Sequence, residues 1–167
     1  MITTVKFAKV RDNAIIPSKR DEDAGWDIYP CFNEDYIVIQ PNETKLIPTG
    51  ICSAFDKDYV FILKERGSTG SRGIGQRAGI IDSGFRGEWF VCVTNHNDAP
   101  LVFGDEYSYK KDHLIMYHGT VFYPKTKAIA QALLLPVPEV EVEEYTYEEI
   151  QNIKSERGTG IIGSSGK

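Results

Sequence analysis

Short β-rich runs parted by turn-forming residues recur along this 167-residue chain, and that rhythm constrains its fold more than any other feature. Thr4–Ala8, Tyr36–Ile39, Lys45–Ile47, Val60–Lys64, Trp89–Thr94, Ile129–Pro136 and Val140–Glu144 are the clearest runs. Gln40-Pro41-Asn42-Glu43, Pro48-Thr49-Gly50 and His96-Asn97-Asp98-Ala99-Pro100 separate them with residues suited to turns. Strands this short and this regularly spaced point to an all-β sandwich or barrel. Helix is scarce. Tyr147–Ile153, with Thr146 and Glu149 spaced as a capping box, is the fair candidate, and a short turn is expected after Ser68.

The most pointed turn lies in Ala78-Gly79-Ile80-Ile81-Asp82-Ser83-Gly84-Phe85-Arg86-Gly87. Ile80 and Ile81 read as the end of a buried strand and Ser83-Gly84 as a hairpin turn. Glu88 to Thr94 then reads as the returning strand, with Trp89, Val91 and Val93 in alternation. The bend hangs one carboxylate, Asp82, between two apolar strands. It either presents that carboxylate to a ligand or uses it to cap its own backbone, since Asp ahead of Ser-Gly is a common turn former.

At 167 residues the chain has the length of one domain, enough to bury roughly two thirds of its unfolded surface. Its 41% hydrophobic and 26% charged content suits a globular protein, and no apolar stretch approaches a membrane span, so no membrane partner is expected. Met1-Ile2-Thr3-Thr4-Val5-Lys6 has no basic region leading into an apolar core, which argues against a secretory signal and for a cytoplasmic, intracellular location. Cys31, Cys52 and Cys92 lack metal-ligand spacing and read as reduced, small buried hydrophobes. A net charge of -5 argues against a nucleic-acid duplex as partner.

Against this acidic background Arg66, Arg72, Arg77 and Arg86 fall close together, among glycines and hydroxyl residues. Guanidinium forks pair with phosphate oxygens and glycine lets backbone N–H groups approach, so the stretch reads as a polyphosphate site. Solvated surface arginines are the plainer alternative. Gly73-Ile74-Gly75-Gln76-Arg77-Ala78 fits a dinucleotide-loop pattern, but Ile80-Ile81-Asp82-Ser83-Gly84 follows where a helix should begin. The C-terminal Gly-Lys lacks the spacing of a Walker loop.

Five segments, in order, resemble the motifs of the trimeric dUTP diphosphatase (dUTPase) family. They are Asp23-Ala24-Gly25-Trp26-Asp27-Ile28, Glu65-Arg66-Gly67-Ser68-Thr69-Gly70, the Asp82 bend, Ala128-Ile129-Ala130-Gln131, and the tail Glu156-Arg157-Gly158-Thr159-Gly160-Ile161-Ile162-Gly163-Ser164-Ser165-Gly166. The resemblance implies a distorted jelly-roll barrel over 1–155 and a flexible Gly-rich active-site arm over 156–167. It also implies a homotrimer with sites at subunit interfaces. The implied activity is hydrolysis of dUTP to dUMP and pyrophosphate, which limits uracil in DNA and supplies dUMP for dTMP synthesis.

The same resemblance assigns roles. Asp82 orients the water that attacks the α-phosphorus. Mg2+ rides on the triphosphate, with Asp27 near it through water. Arg66, Gly67, Ser68, Gln131, Arg157, Gly158, Ser164 and Ser165 bind phosphates. Gly79, Ile80 and Ile81 read the uracil edge by their backbone, with Gln76 adding a side-chain contact. Phe85 packs on the deoxyribose, leaving no room for a 2′-hydroxyl, and Ile162 covers the base. A positioned water, a base and cations to gather phosphate charge are what such a cleavage needs.

The chain departs from the family at four places. Gly67 stands where Ser usually follows the motif arginine, Ile162 where Phe usually stacks on uracil, and Ala128 where Arg usually precedes Ile-Ala-Gln. Residues 101–122 are longer than usual, with Tyr107, Tyr109, Tyr117, Phe122 and Tyr123 interleaved with Lys110, Lys111, His113 and His118. This insertion is expected to be an extra hairpin over the barrel edge. The alternative is a face for a protein partner, as in some phage members, whose location is the host cytoplasm. His113 and His118 lack acidic or cysteine partners at ligand spacing. The rival enzyme of this fold is dCTP deaminase, but Cys92 stands where that family carries its catalytic Glu, and a thiol does not replace a carboxylate in proton shuttling at neutral pH.

Overall fold

The computed structural model describes residues 3–113, 115, 117–156 and 158–160. Its strands are β1 (Lys6–Lys9), β2 (Gly25–Ile28), β3 (Tyr36–Ile39), β4 (Thr44–Pro48), β5 (Ile51–Ala54) and β6 (Tyr59–Lys64), followed by β7 (Ile74–Arg77), β8 (Ile80–Asp82), β9 (Phe90–Asn95), β10 (Leu101–Gly104), β11 (Val121–Tyr123) and β12 (Ala130–Pro136). Helices are short: α1 (Gly67–Gly70), α2 (Glu106–Asp112) and α3 (Tyr147–Asn152). The strands form four small sheets, ordered β1-β5, β11-β10-β3, β2-β12-β6-β8 and β4-β9-β7. This is the all-β architecture that the strand rhythm predicts.

The core forms where alternation along a strand sends one face inward. Val91 and Val93 of β9 are buried with Trp89, while Phe90 stays exposed. Trp89 meets Phe61 of β6 at a ring-centroid distance of 5.2 Å, and Phe7 of β1 completes the cluster at 5.6 Å from Trp89. Edge-to-face packing of rings suits their quadrupoles. Each such side chain buried contributes about 1.5–3 kcal/mol. The cluster therefore ties β1, β6 and the start of β9 together, and β6 carries the site on both of its flanks.

Several expectations need correction. Ile81 is buried, but Ile80 is 67% exposed, because successive side chains alternate and Ile80 points to the outer face of its sheet. The bend after Asp82 does not return as a hairpin: β8 pairs with β6, whereas β9 pairs with β4 and β7 in another sheet. The insertion is not a hairpin either. Helix α2 crosses over between β10 and β11, which therefore run parallel, with Phe103 opposite Tyr123. Asp105 caps α2 by accepting from the Ser108 N–H at 3.0 Å, and Tyr109 packs edge-on to Tyr36 at 5.3 Å.

The chain divides after Val137. The unit from Pro138 holds α3, whose capping box is as expected: Thr146 Oγ1 accepts from the Glu149 N–H at 3.2 Å and Glu149 Oε2 from the Thr146 N–H at 2.7 Å. The expected strand Val140–Glu144 does not form. Val140 and Val142 are exposed, and among the described residues the segment has no ladder partner within its own unit. Among the described residues no helix is long and apolar enough to cross a membrane.

Candidate active site

Strand pairing brings two motif residues, Asp27 and Gln131, into one row. Gln131 of β12 lies opposite Asp27 of β2 on one side and opposite Lys64 of β6 on the other. The chain leaving β6 then turns Arg66 back over this row. Its Nε donates to Asp27 Oδ1 at 2.9 Å, its Nη2 reaches Asp27 Oδ2 at 3.5 Å, and its Nη1 donates to the Ala128 carbonyl at 3.3 Å. Both side chains of the pair are about one-third exposed, so the contact contributes orientation more than stability. Gln131 Nε2 donates to the Glu65 carbonyl at 2.8 Å. Its Oε1 lies 2.8 Å from where a Cβ on residue 25 would stand, so only glycine fits at Gly25 without displacing the amide.

These residues line an open cleft of about 780 Å³, with Ser68 and Gly67 at its side. Lys19 and Arg20 also line it, and no motif in the sequence marks them. The signal available was two adjacent cations just ahead of Asp23 in an acidic chain. Arg20 Nε pairs with Asp23 at 2.8 Å and holds the Asp23 carboxyl below its ordinary range, while the Lys19 ammonium lies 5.2 Å over the Trp26 ring.

Asp82 belongs to a second, smaller hollow of about 260 Å³, lined by Gly79, Ile80, Ile81 and Phe85 and also by Cys92. Gly79 has φ +105°, and a Cβ there would stand 2.6 Å from Gln76 Nε2 and 2.9 Å from the Leu63 carbonyl, so the chain crosses β6 only as glycine. The Gly79 carbonyl is occupied, accepting from the Leu63 N–H at 2.8 Å. Antiparallel pairing alternates, so the N–H and C=O of Ile80 face away from β6, out of the sheet edge. Gln76 Nε2 donates to the Arg77 carbonyl at 2.8 Å, and the Phe85 ring folds over Gly87. The turn is closed by the Asp82 main-chain carbonyl, which accepts from the Phe85 N–H at 3.0 Å. Among the described residues the exposed Asp82 carboxylate has no hydrogen-bond partner, so it does not cap its own turn.

The two hollows share no lining residue. Asp82 lies opposite Val60 and Gln131 opposite Lys64, on opposite neighbours of β6 and four residues out of step. At ~3.3 Å per residue and ~4.8 Å per strand spacing, their Cα atoms stand about 16 Å apart on one face of the sheet. Two short side chains do not meet across that span.

A family model described as dUTPase matches residues 11–104. The deoxyuridine 5'-triphosphate nucleotidohydrolase of Clostridioides difficile is 32% identical over 97% of this chain and 97% of its own. The chain belongs to the dUTPase family. The Nautilia profundicola protein of the same name is 32% identical over 98% of this chain and 99% of its own. Among solved structures, the Staphylococcus bacteriophage 80alpha dUTPase with dUPNHPP superposes with a TM-score of 0.77 at 23% identity, covering 98% of this chain and 99% of that one. The D95N mutant dUTPase from phage phi11 of S. aureus, whose structure details the coordination of a structural Mg(II) ion, superposes at 0.64 with 20% identity, covering 85% of this chain and 96% of that one. These likenesses place the chain in a phage-like dUTPase fold.

Within that fold the arginine cluster disperses. Arg66 lines the larger cleft, but Arg77 Nε donates to Thr94 Oγ1 at 2.9 Å and Arg86 closes its own turn on the Ser83 carbonyl. Arg72 donates to the Phe122 carbonyl at 3.1 Å and lines a neighbouring hollow that Arg66, Asp27 and Ser68 also line, so of the other three it alone stays near Arg66. Arg66 caps α1, Arg72 lies in the turn after it, Arg77 ends β7 and Arg86 lies in the turn after β8, so sequence proximity overstated the charge at one spot. Of the dUTPase tail, Arg157, Ile162, Ser164 and Ser165 lie outside the described residues, while the Gly158 N–H donates to Ser155 Oγ at 2.8 Å. Among the described residues no group of three His, Cys, Asp or Glu side chains forms a metal cage. The Asp27 carboxylate, partly exposed to the cleft and held from one side by Arg66, offers the hard oxygen donor that suits a magnesium ion keeping its own waters.

Proposed function

We propose that this chain hydrolyses dUTP to dUMP and pyrophosphate, with each site completed by a neighbouring copy in a trimer. The observation that carries the reading is the separation of Asp82 from the Arg66–Asp27–Gln131 cluster on one chain. A general base and phosphate-binding groups serve one α-phosphorus only when they lie within hydrogen-bond reach of it. Two copies related by rotation bring the Asp82 hollow of one against the Arg66 cleft of the next.

In this reading Arg66, Gln131 and Ser68 hold the triphosphate in the larger cleft, and the tail residues Arg157, Gly158, Ser164 and Ser165 add phosphate contacts. The outward N–H and C=O of Ile80 offer one donor and one acceptor to the uracil edge. The amino group of cytosine would place a donor where that edge needs an acceptor. Phe85 lies beside the deoxyribose. Asp82 takes a proton from water as its oxygen bonds to the α-phosphorus, and the bond from that phosphorus to the bridging oxygen breaks to release pyrophosphate. Asp27 is the residue that would hold Mg2+, which when bound would supply positive charge to the triphosphate oxygens.

The test is pyrophosphate release from dUTP with Mg2+ present. Release without ammonia from dCTP supports the reading and disfavours a deaminase. No release favours the alternative, a protein-binding role for the insertion, for which the exposed Tyr107, Ile115 and Tyr117 speak.

A further inference from the structure

The phosphate role of Arg66 depends on how its guanidinium is aimed, and one of its acceptors has a second donor. The Ala128 carbonyl accepts from Arg66 Nη1 at 3.3 Å and from the Tyr123 hydroxyl at 2.7 Å. A carbonyl oxygen has two lone pairs, so both bonds coexist. The other end of the same peptide unit is also held, because the Ile129 N–H donates to the Ile28 carbonyl at 2.9 Å. The 128–129 peptide is thus pinned at both its polar ends, and Ala128 O becomes a fixed acceptor.

Tyr123 is a rigid post for this purpose. It is 1% exposed, sits on β11 opposite Phe103, packs against that ring at 5.6 Å, and lies 5.6 Å beneath the Arg72 guanidinium. Phenylalanine would fill the same space, so packing alone does not call for the hydroxyl.

We propose that Tyr123 is a positioning residue for Arg66, fixing the Ala128 carbonyl so that this acceptor and Asp27 together set the plane of the guanidinium fork. The proposal rests on the phosphate-binding role of Arg66 and adds to it. It also gives the insertion a mechanical link to the site, since β11 is the strand on which the insertion returns.

Tyr123→Phe, Arg66→Ala and the double variant test it. Tyr123→Phe is expected to keep the fold with a melting temperature lower by only a few degrees and to lower kcat/KM for dUTP roughly two- to tenfold, the range for one hydrogen bond. Affinity for a non-hydrolysable dUTP analogue should fall by a similar factor, while affinity for deoxyuridine, which has no phosphate, stays the same. In the Arg66→Ala background the Tyr123→Phe change should cost nothing further. Equal losses in both backgrounds, equal losses for the analogue and deoxyuridine, or no loss in the single variant when Arg66→Ala is impaired would overturn the proposal. An Arg66→Ala enzyme with wild-type turnover would instead overturn the phosphate reading of Arg66, and the proposal with it.

Discussion

Arg66 and Asp27 face each other across the mouth of the larger cleft, with Nε 2.9 Å from Oδ1 and the second pair of atoms looser at 3.5 Å. The arrangement leaves the carboxylate lone pairs on its open side for water, and the guanidinium keeps N–H donors for phosphate. On the proposed reading, an arginine held this way meets an incoming polyphosphate already oriented. A carboxylate held this way can also anchor the waters of a hard cation.

Asp27→Asn keeps the shape and removes the charge. The expected result is that roughly ten- to a hundredfold more Mg2+ is needed for half-maximal dUTP turnover, the usual cost of losing an outer partner of a metal. A titration of rate against Mg2+ checks this. An unchanged Mg2+ requirement would remove Asp27 from the metal's surroundings.

Mixed assembly tests whether neighbouring copies share a site. Asp82→Asn and Arg66→Ala chains are each expected to be nearly inactive. Unfolded together and refolded as an equal mixture, they should recover roughly a quarter of the wild-type rate, from random filling of a symmetric ring. Sites confined to one chain would yield no recovery.

How much of this was legible in the sequence varies by element. The strand Tyr36–Ile39 matches its expected bounds, and Trp89, Val91 and Val93 are buried in the alternation read from the chain, because the period-2 pattern itself creates the inner face. β8 is too short for a period to show, and whether Ile80 is covered depends on what packs against its face of the sheet, a non-local fact. The parallel pairing of β10 with β11 depends on α2 crossing over, and Val140–Glu144 alternates without a ladder partner in its unit. Within the site, Asp27, Arg66 and Gln131 were found by motif and the structure brings them together. Lys19 and Arg20 carried no motif, and the 128–129 peptide acts through main-chain atoms that side-chain identity does not reveal.

Nucleotide selectivity should follow the Asp82 hollow. dUTP is expected to be preferred over dCTP by at least about a hundredfold, since a site built on hydrogen bonds rejects a base that leaves them unmade. Phe85→Ala should narrow the gap between dUTP and UTP without much change in the gap between dUTP and dCTP. Steady-state kinetics with the three nucleotides decides this. A gap to dCTP that narrows as much as the gap to UTP would show that Phe85 does not act on the sugar.

Acid sensitivity should involve Glu88. Its carboxylate accepts from Arg11 Nε at 2.9 Å and from the Gly50 N–H at 2.8 Å, and the Arg11 bond chiefly holds its pKa below the ordinary 4.5. A carboxyl with a depressed folded pKa contributes stability above its unfolded value and loses it as pH falls through the folded one. Thermal melts should therefore drop below about pH 4.5, and Glu88→Gln should lower stability at neutral pH while flattening that acid limb. An acid limb of unchanged slope in Glu88→Gln would assign it to other carboxylates.

The most direct measurement is pyrophosphate release from dUTP by Asp82→Asn beside the wild-type chain, with folding checked by circular dichroism. If Asp82 takes the proton of the attacking water, the variant keeps its fold and loses roughly a hundredfold or more of the rate. A folded Asp82→Asn protein releasing pyrophosphate near the wild-type rate would contradict the account and leave Asp82 a residue of the turn alone.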